Sequence, residues 1–326
     1  MSTASLIQCY IFIIYSDKGN KYTRRNFMEK LKFSYFQLTF GKEETYLKPE
    51  VSYKRLKDCG YNAIEVTPPK GRYGLGVSMD KYAQTHKKLK DAFGLEISCV
   101  NECWGEEWDP YSPDYKTLTE EKTAKLAIKE TKSSIDFSAE IGAPLVTVAV
   151  AIHDNINKDN VKECTEIAVN SLKEMCKYAK KKNIKLVFEA TNHLEMGKYV
   201  NTVLNHKRLI ELVRMDNLGI QLDWFHANFE ELNSYEAVMD SYPLLWHIHF
   251  RDSNSLTPGY GTIDFKAVIR ALKKIGYKGY CTIESSPMIP DSDTACRDGI
   301  EYLKFLERIV EYQLSPDFPN GFTINI

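Results

Sequence analysis

The segment Leu218-Gly-Ile-Gln-Leu-Asp223 is an apolar run that ends on a carboxylate, and three other segments follow the same pattern. They are IKLVFE (residues 184–189), LWHIHF (245–250) and GYCTIE (279–284), in which Glu189, His249 and Glu284 lie at or next to the end of the run. Successive polar residues are 34, 26 and 35 residues apart, which leaves room for one strand, one helix and their loops. Strands that alternate with helices at this spacing build a parallel sheet.

The alternation extends over most of the chain and gives eight strand–helix units. Strands are predicted at 32–40, 62–67, 95–101, 145–151, 184–189, 218–223, 245–250 and 280–284. Amphipathic helices are predicted at 51–58, 79–92, 120–140, 161–181, 205–214, 229–241, 265–274 and 294–311. Several strands are rich in Val, Ile and Phe, which is typical of a parallel sheet covered on both faces. The sequence therefore predicts an α/β protein with a single (β/α)8 barrel.

Both ends of the chain are predicted to lie outside this barrel. Residues 1–27 contain an apolar stretch that is too short to span a bilayer and lacks the flanks of a secretory signal, so we expect a disordered extension. The barrel is predicted at residues 28–313 and a C-terminal tail at 314–326. Nothing between them reads as a linker.

Charge and cysteine content narrow the class of protein. The net charge of −1 gives no electrostatic reason to expect a nucleic acid or an anionic membrane as partner. The eight cysteines are scattered and form no CxxC pair, which favours reduced thiols in a cytoplasmic protein.

The four polar strand ends predict a metal site. In a closed barrel Glu189, Asp223, His249 and Glu284 would point into the C-terminal mouth, where the active sites of such barrels lie. Three carboxylates this close repel one another unless a cation joins them. A mainly oxygen ligand set favours one divalent ion, Mn2+ first and Mg2+ or Co2+ next, over Zn2+. Two open coordination positions would suit the carbonyl and neighbouring hydroxyl of a keto-sugar.

The segments around these residues carry recognisable motifs. They read EATNHLE (189–195), DWFHAN (223–228) and HIHFRDSNSLTPGYG (247–261). With them the chain resembles the xylose-isomerase-like TIM barrels of the sugar phosphate isomerase/epimerase superfamily, and within it the D-tagatose 3-epimerase type.

The resemblance implies a function and a set of roles. It implies a divalent-metal-dependent isomerase or epimerase that removes the proton next to the carbonyl of a metal-bound keto-sugar. The four mouth residues would be the metal ligands, and Glu189 and Glu284 would also act on opposite faces of the sugar. The implied substrate-binding residues are Glu195, His226, Asp252 and Asn254.

Two departures from the family pattern leave a second enzyme class open. Ser255 stands where family epimerases carry an arginine that grips the sugar, and His153, just past the fourth strand, is placed to act as a general acid or base. The large subunit of bacterial C-glycoside deglycosidases is a similar barrel. The alternative is therefore a lyase that cleaves 3-oxo-C-glycosides by metal-assisted elimination with His153 as acid or base, in complex with a small second subunit rather than as a homo-oligomer.

Two further protein classes fit the sequence less well, and two features outside this site have interpretations of their own. An endonuclease IV-type repair enzyme would need more histidines than the seven in this chain, and a non-catalytic partner subunit would have no need for an intact ligand set. His86 and His206 lie on predicted helices and are predicted to be surface residues. The glycine-rich PPKGRYGLG (68–76) lacks the spacing of a nucleotide-binding loop and is predicted to be a loop of the barrel mouth.

Overall fold

The strands of the chain close into a barrel. The computed structural model describes residues 29–70, 74–102, 117–149, 156–189, 191–194, 197 and 199–315. Its strands are β1 Lys32–Phe36, β2 Ala63–Val66, β3 Glu96–Asn101, β4 Leu145–Ala149, β5 Lys185–Glu189, β6 Leu218–Asp223, β7 Leu245–Phe250 and β8 Tyr280–Ile283. Each strand pairs with the next in parallel, and β8 pairs with β1. The predicted single (β/α)8 barrel is confirmed, while the boundaries at residues 28 and 313 stay predictions.

Helices surround the barrel. They are α1 Pro49–Cys59, α2 Met79–Phe93, α3 Glu121–Ile141, α4 Val161–Lys181, α5 Val203–Val213, α6 Trp224–Glu230, α7 Ser234–Ser241, α8 Phe265–Ile275 and α9 Ser292–Leu314. None of these helices is both long enough and apolar enough to cross a membrane.

Two predicted elements differ from the structure. The strand predicted at 32–40 ends at Phe36, and a 3-10 turn follows. The single helix predicted at 229–241 is wrong, because two helices cover this region. The Asp223 side chain caps a helix directly at the end of β6, and the Asn233 side chain caps another one. Each cap satisfies N–H groups at a helix start, and hydrophobic periodicity does not report this.

The prediction that His86 and His206 are surface residues is wrong, since both are fully buried. His86 Nδ1 lies 2.8 Å from the hydroxyl of Tyr53 on the preceding helix. The ring of His206 packs against Phe188 of β5 at a centroid distance of 4.5 Å. His86 therefore lies between two helices, and His206 lies between a helix and the sheet.

The two faces of the strands differ in polarity. Outward side chains are apolar and buried under the helices; examples are Ile64, Val148, Phe188, Ile248 and Ile283. Inward side chains are largely polar and bond across the barrel: Ser34 with Ser98, Thr147 with Gln221, and Glu65 with His247. A hydrogen-bonded polar layer thus lies directly beneath the barrel mouth.

Candidate metal centre

The structure brings the four predicted ligands together at the carboxyl ends of their strands. Glu189 and Asp223 end β5 and β6, His249 is the last but one residue of β7, and Glu284 follows β8. From Nδ1 of His249, Glu284 Oε2 lies at 2.7 Å, Asp223 Oδ2 at 3.8 Å and Glu189 Oε1 at 3.9 Å. The ligand atoms of Glu189, Asp223 and His249 all lie within 4.8 Å of one another.

The four side chains differ in accessibility. Asp223 and His249 are buried, with at most 1% of each side chain exposed. Glu189 and Glu284 keep 16% and 13% of their side-chain surface. The centre thus has a closed floor and two carboxylates that a molecule in the mouth can reach.

Asp223 leaves one carboxylate oxygen for the centre. Its Oδ1 accepts hydrogen bonds from the N–H groups of Phe225 at 2.6 Å and His226 at 3.2 Å. Its Oδ2 is buried and has no hydrogen-bond partner among the described residues. An ionised oxygen without a donor is unfavourable in a protein interior. A cation between Asp223 and its neighbours would satisfy this atom.

The electrostatics of the cluster also fit a cation. Burial, together with Asp223 and Glu284, raises the pKa of Glu189 to about 8. Burial and Glu284 raise the pKa of Asp223 to about 6. Burial alone would raise the pKa of Glu284, but Arg251 and His249 outweigh burial and lower this pKa. Negative charge is therefore crowded at this point, and a divalent ion that accepts oxygen ligands and one imidazole would stabilise it.

The side chain of His226 is a hydrogen-bond donor beside this cluster. Its Nδ1 accepts hydrogen bonds from the backbone N–H of Asn192 at 3.3 Å and from the Asn192 side-chain amide at 2.8 Å. Burial lowers the pKa of His226 to about 3, so the ring is neutral. Because Nδ1 accepts, the proton resides on Nε2.

Asp252 and Asn254 are engaged in their own loop. The Asp252 carboxylate accepts hydrogen bonds from three backbone N–H groups of the segment 253–263 at 2.7–3.2 Å. The Asn254 amide donates to the carbonyl of Tyr260 at 2.8 Å. These contacts shape the β7–α8 loop. His153 and Glu195, the other predicted site residues, lie outside the described residues.

Two residues that sequence reasoning did not assign to the site reach it. Arg251 lies with Nη1 3.5 Å from Oε1 of Glu284 and with its guanidinium 4.4 Å from the centroid of the Phe225 ring. Glu65 of β2 contacts Nε2 of His249 from inside the barrel at 3.0 Å. The sequence does contain an indication that Glu65 has a special role, since Glu65 is the one acidic residue in the apolar strand NAIEVT (62–67).

Comparison with known families agrees with the barrel fold. The family model described as "Xylose isomerase-like TIM barrel" matches residues 53–306. The chain belongs to this family. The resemblance predicted from the motifs is thereby confirmed.

Sugar epimerases are among the relatives of this barrel. A 3-dehydro-D-guloside 4-epimerase of Escherichia coli K12 is 33% identical over 105 residues, which are 32% of this chain and 40% of that protein. A D-psicose 3-epimerase of Enterocloster bolteae is 32% identical over 117 residues, 36% of this chain and 38% of that protein. The aligned stretches thus span less than half of these two relatives.

A solved structure shows the same fold over a longer stretch. The 3-keto-D-glucoside 4-epimerase of Escherichia coli superposes with a TM-score of 0.72 at 21% identity, and the match covers 85% of this chain and 100% of that one.

Proposed function

We propose that this protein is a divalent-metal-dependent sugar isomerase or epimerase that removes a proton next to the carbonyl of a keto-sugar. The observation that carries the proposal is the pair Glu189 and Glu284. Glu189 ends β5 and Glu284 directly follows β8, on either side of the buried Asp223 and His249, and they are the two members of the cluster that remain accessible. Two carboxylates that flank one bound sugar can each transfer a proton on one face of it.

We further propose that Glu189, Asp223, His249 and Glu284 hold one ion, Mn2+ by preference or else Mg2+ or Co2+. When bound, such an ion polarises a ketone and stabilises the negative charge that develops on its oxygen. The orphaned Oδ2 of Asp223 and the crowded carboxylates support this ligand set.

The two accessible carboxylates would move the proton. Their surroundings push their pKa values apart, raising that of Glu189 and lowering that of Glu284, which is how paired carboxylates take acid and base roles. One takes the proton on the carbon beside the ketone. In an epimerase the other carboxylate returns a proton from the opposite face, and in an isomerase the proton goes to the neighbouring carbon.

Neighbouring side chains would orient the sugar. The Nε2–H of His226 is a donor for a sugar oxygen, and Glu195 is proposed to accept from a hydroxyl. Asp252 and Asn254 are proposed to act through the shape of their loop, since their polar atoms already bond within it. Arg251, which faces Glu284 at the mouth, would add a cationic donor group, whereas the family resemblance implies an arginine at position 255.

The substrate class is proposed to include oxidised glycosides as well as free ketoses. One relative is named for a 3-dehydro-glycoside and another for the free ketose D-psicose. Ser255 at the position of the sugar-gripping arginine means that part of the sugar is held differently in this chain. We propose a cytoplasmic protein, either a homo-oligomer or a complex with a small second subunit.

The proposal is tested by metal analysis and proton exchange. Purified protein is expected to hold one divalent ion per chain. With Mn2+ in D2O it should exchange the proton beside the carbonyl of a ketose or of a 3-oxo-glucoside and yield a second sugar, followed by NMR. Full activity in excess chelator, or no exchange with any member of the panel, would contradict it.

A second candidate is the C-glycoside deglycosidase type of lyase, which Ser255 in place of the family arginine favours. In it the ionised substrate expels its β-substituent, and His153 assists as acid or base. His153→Ala should then abolish cleavage of a 3-oxo-C-glycoside while metal content stays normal. Under the isomerase or epimerase proposal the same variant should lose less than about tenfold in rate, well below the 10²–10⁴-fold typical of a general acid or base.

A further inference from the structure

Glu65 is a fully buried carboxylate inside the barrel, one residue before the end of β2. Its Oε2 lies 2.7 Å from Nε2 of His247, and its Oε1 lies 3.0 Å from Nε2 of His249. The side-chain amide of Asn101 donates to Oε1 at 3.0 Å. A buried carboxylate is tolerated when it has several donors, and these three residues supply them. We call Glu65, Asn101, His247 and His249 the Glu65 network.

The two ring nitrogens of His249 face different groups. Nε2 points down to Glu65, and Nδ1 points up to the mouth, where Glu284 Oε2 is 2.7 Å away. A neutral imidazole has one N–H and one lone pair, so the acceptor at one nitrogen decides which tautomer is present. With Glu65 accepting the proton of Nε2, the lone pair of His249 lies on Nδ1.

We propose that Glu65 is a positioning residue of the metal centre, which fixes both the tautomer and the orientation of His249. The inference rests on the proposed function, in which Nδ1 of His249 is a metal ligand. A carboxylate that accepts the distal N–H of a ligating histidine orients its ring and makes it a stronger donor to the metal. Glu65 acts through His249 and need not touch the substrate.

The surroundings of His249 agree with this role. The Phe36 ring stacks on the imidazole at a centroid distance of 5.9 Å and an angle of 28°. The Gln221 amide nitrogen lies 3.4 Å from both ring nitrogens, and Thr147 donates to its oxygen at 2.5 Å. Phe36 and Gln221 thus restrict the ring, Thr147 holds Gln221 in place, and Glu65 supplies the hydrogen bond that selects the tautomer of His249.

His247 completes the support rather than offering a second ligand to the mouth. It lies two residues before His249 on the same strand and donates to the other oxygen of Glu65. The ligand atoms of Glu65, His247 and His249 lie close enough to hold an ion of their own. All three side chains are at most 1% exposed, however. The Asn101 amide also directs an N–H group at Glu65 Oε1, and an N–H group cannot serve as a ligand to a cation. The geometry therefore favours one ion above and a hydrogen-bonded support below.

The test is the affinity for Mn2+, measured by calorimetric titration of metal-free protein. We expect one site in the unmodified protein and a 10–100-fold weaker Kd in Glu65→Gln, the loss typical of removing such a support. The matched control is Glu307→Gln, which changes another buried carboxylate, paired with Lys273 on the outside of the barrel. Its Kd should stay within about twofold of the unmodified protein.

A second variant and a spectroscopic measurement guard against a folding defect. Asn101→Ala removes one donor from Glu65 but leaves its charge, so an intermediate loss of affinity is expected. Nitrogen-15 NMR of the histidine rings, with diamagnetic Mg2+ bound, should show His249 protonated at Nε2. In Glu65→Gln this signal should weaken or move to Nδ1.

The outcomes separate the inference from the proposed function. No Mn2+ binding by the unmodified protein would overturn the metal centre and the inference with it. Normal binding by the unmodified protein and by Glu65→Gln would overturn the inference alone. Two ions per chain, with one lost in Glu65→Gln, would also overturn it, because the Glu65 network would then be a second metal site.

Discussion

The hydroxyl of Ser255 holds the guanidinium of Arg251. Ser255 Oγ accepts hydrogen bonds from Nε at 2.8 Å and from Nη2 at 2.5 Å, and it donates to the carbonyl of Ser286 beyond β8. The opposite side of the guanidinium, Nη1, faces Glu284. Ser255 therefore anchors Arg251 at the mouth.

We predict that Arg251→Lys lowers kcat/KM by about 10–100-fold, because hydrogen bonds to a charged group contribute about 1.5–3 kcal/mol. Lysine keeps the charge but loses the planar fork that bonds Ser255 and faces Glu284 at once. Steady-state kinetics with saturating Mn2+ measures the change.

Ser255→Ala should lower kcat/KM by at least about tenfold, because the variant loses the hydroxyl that accepts two hydrogen bonds from the charged guanidinium, and a hydrogen bond to a charged group contributes about 1.5–3 kcal/mol. The control is Ser253→Ala in the same loop, whose hydroxyl bonds Thr262 and not Arg251. Equal losses in the two serine variants would show that only loop stability matters.

Asp223→Asn is predicted to trade metal binding for stability. In the metal-free protein the ionised Asp223 is unfavourable at pH 7, because burial and Glu284 raise its pKa to about 6. The amide removes this charge and keeps an oxygen for the cap of α6. We expect metal-free protein to gain up to about 3 kcal/mol, because the pKa is raised by about two units and each unit corresponds to 1.36 kcal/mol. Urea unfolding in chelator and Mn2+ titration measure both effects.

Asp264→Asn is the matched control for this prediction. Asp264 also caps a helix, since its Oδ1 accepts from Ala267 N–H at 3.0 Å, but it lies at the start of α8 and outside the cluster. This variant should leave Mn2+ affinity unchanged and bring no gain in stability. A gain of the same size in both variants would point to the caps and not to the crowded carboxylates.

The barrel and the four clustered residues could be predicted because each depends on a local pattern. A buried run such as LGIQLD shows where a strand lies, and the polar residue at its end shows where the strand leaves the core. Parallel strands in a closed barrel then place Glu189, Asp223 and His249 at one edge, whatever the sequence between them.

Other features depend on contacts between distant segments. The burial of the Glu65 carboxylate is explained by its hydrogen bond with His247, which lies 182 residues further along the chain. Arg251 reaches Glu284 because its loop turns at Ser255, where φ is 67° in the left-handed region. His86 is buried because Tyr53 of another helix offers it a hydroxyl. No periodicity in the sequence reports these pairings.

We predict that the buried histidines His86 and His206 lower the free energy of unfolding in acid. Burial lowers the pKa of His86 to about 3 and that of His206 to about 4, whereas an unfolded chain titrates near 6.5. Below pH 6.5 the unfolded state therefore binds protons that the folded state does not. Stability should fall as pH drops towards 4, by up to about 1.4 kcal/mol per pH unit for each histidine.

His206→Gln isolates this contribution. The variant cannot take up the proton, so the slope of unfolding free energy between pH 6 and 4.5 should decrease by about 1 kcal/mol per pH unit, with about 1.4 as the upper limit. His193→Gln, on an exposed loop with 48% of the His193 side chain accessible, is the control. Urea unfolding at several pH values gives the slopes, and an unchanged slope in His206→Gln would contradict the assignment.

Glu189→Gln and Glu284→Gln are predicted to separate the two halves of the proton transfer. Each amide keeps an oxygen for the ion, so Mn2+ affinity falls but can be saturated. At saturating Mn2+ the formation of product should drop at least 10²-fold in both, the lower bound for loss of an acid or base. Each variant still has one carboxylate, so each should exchange with D2O the proton of one epimer only, and the two should differ in which epimer exchanges.

Glu301→Gln on the exposed face of α9 is the control and should keep full turnover. Loss of all exchange in one variant, with full exchange of both epimers in the other, would mean that a single carboxylate serves both faces.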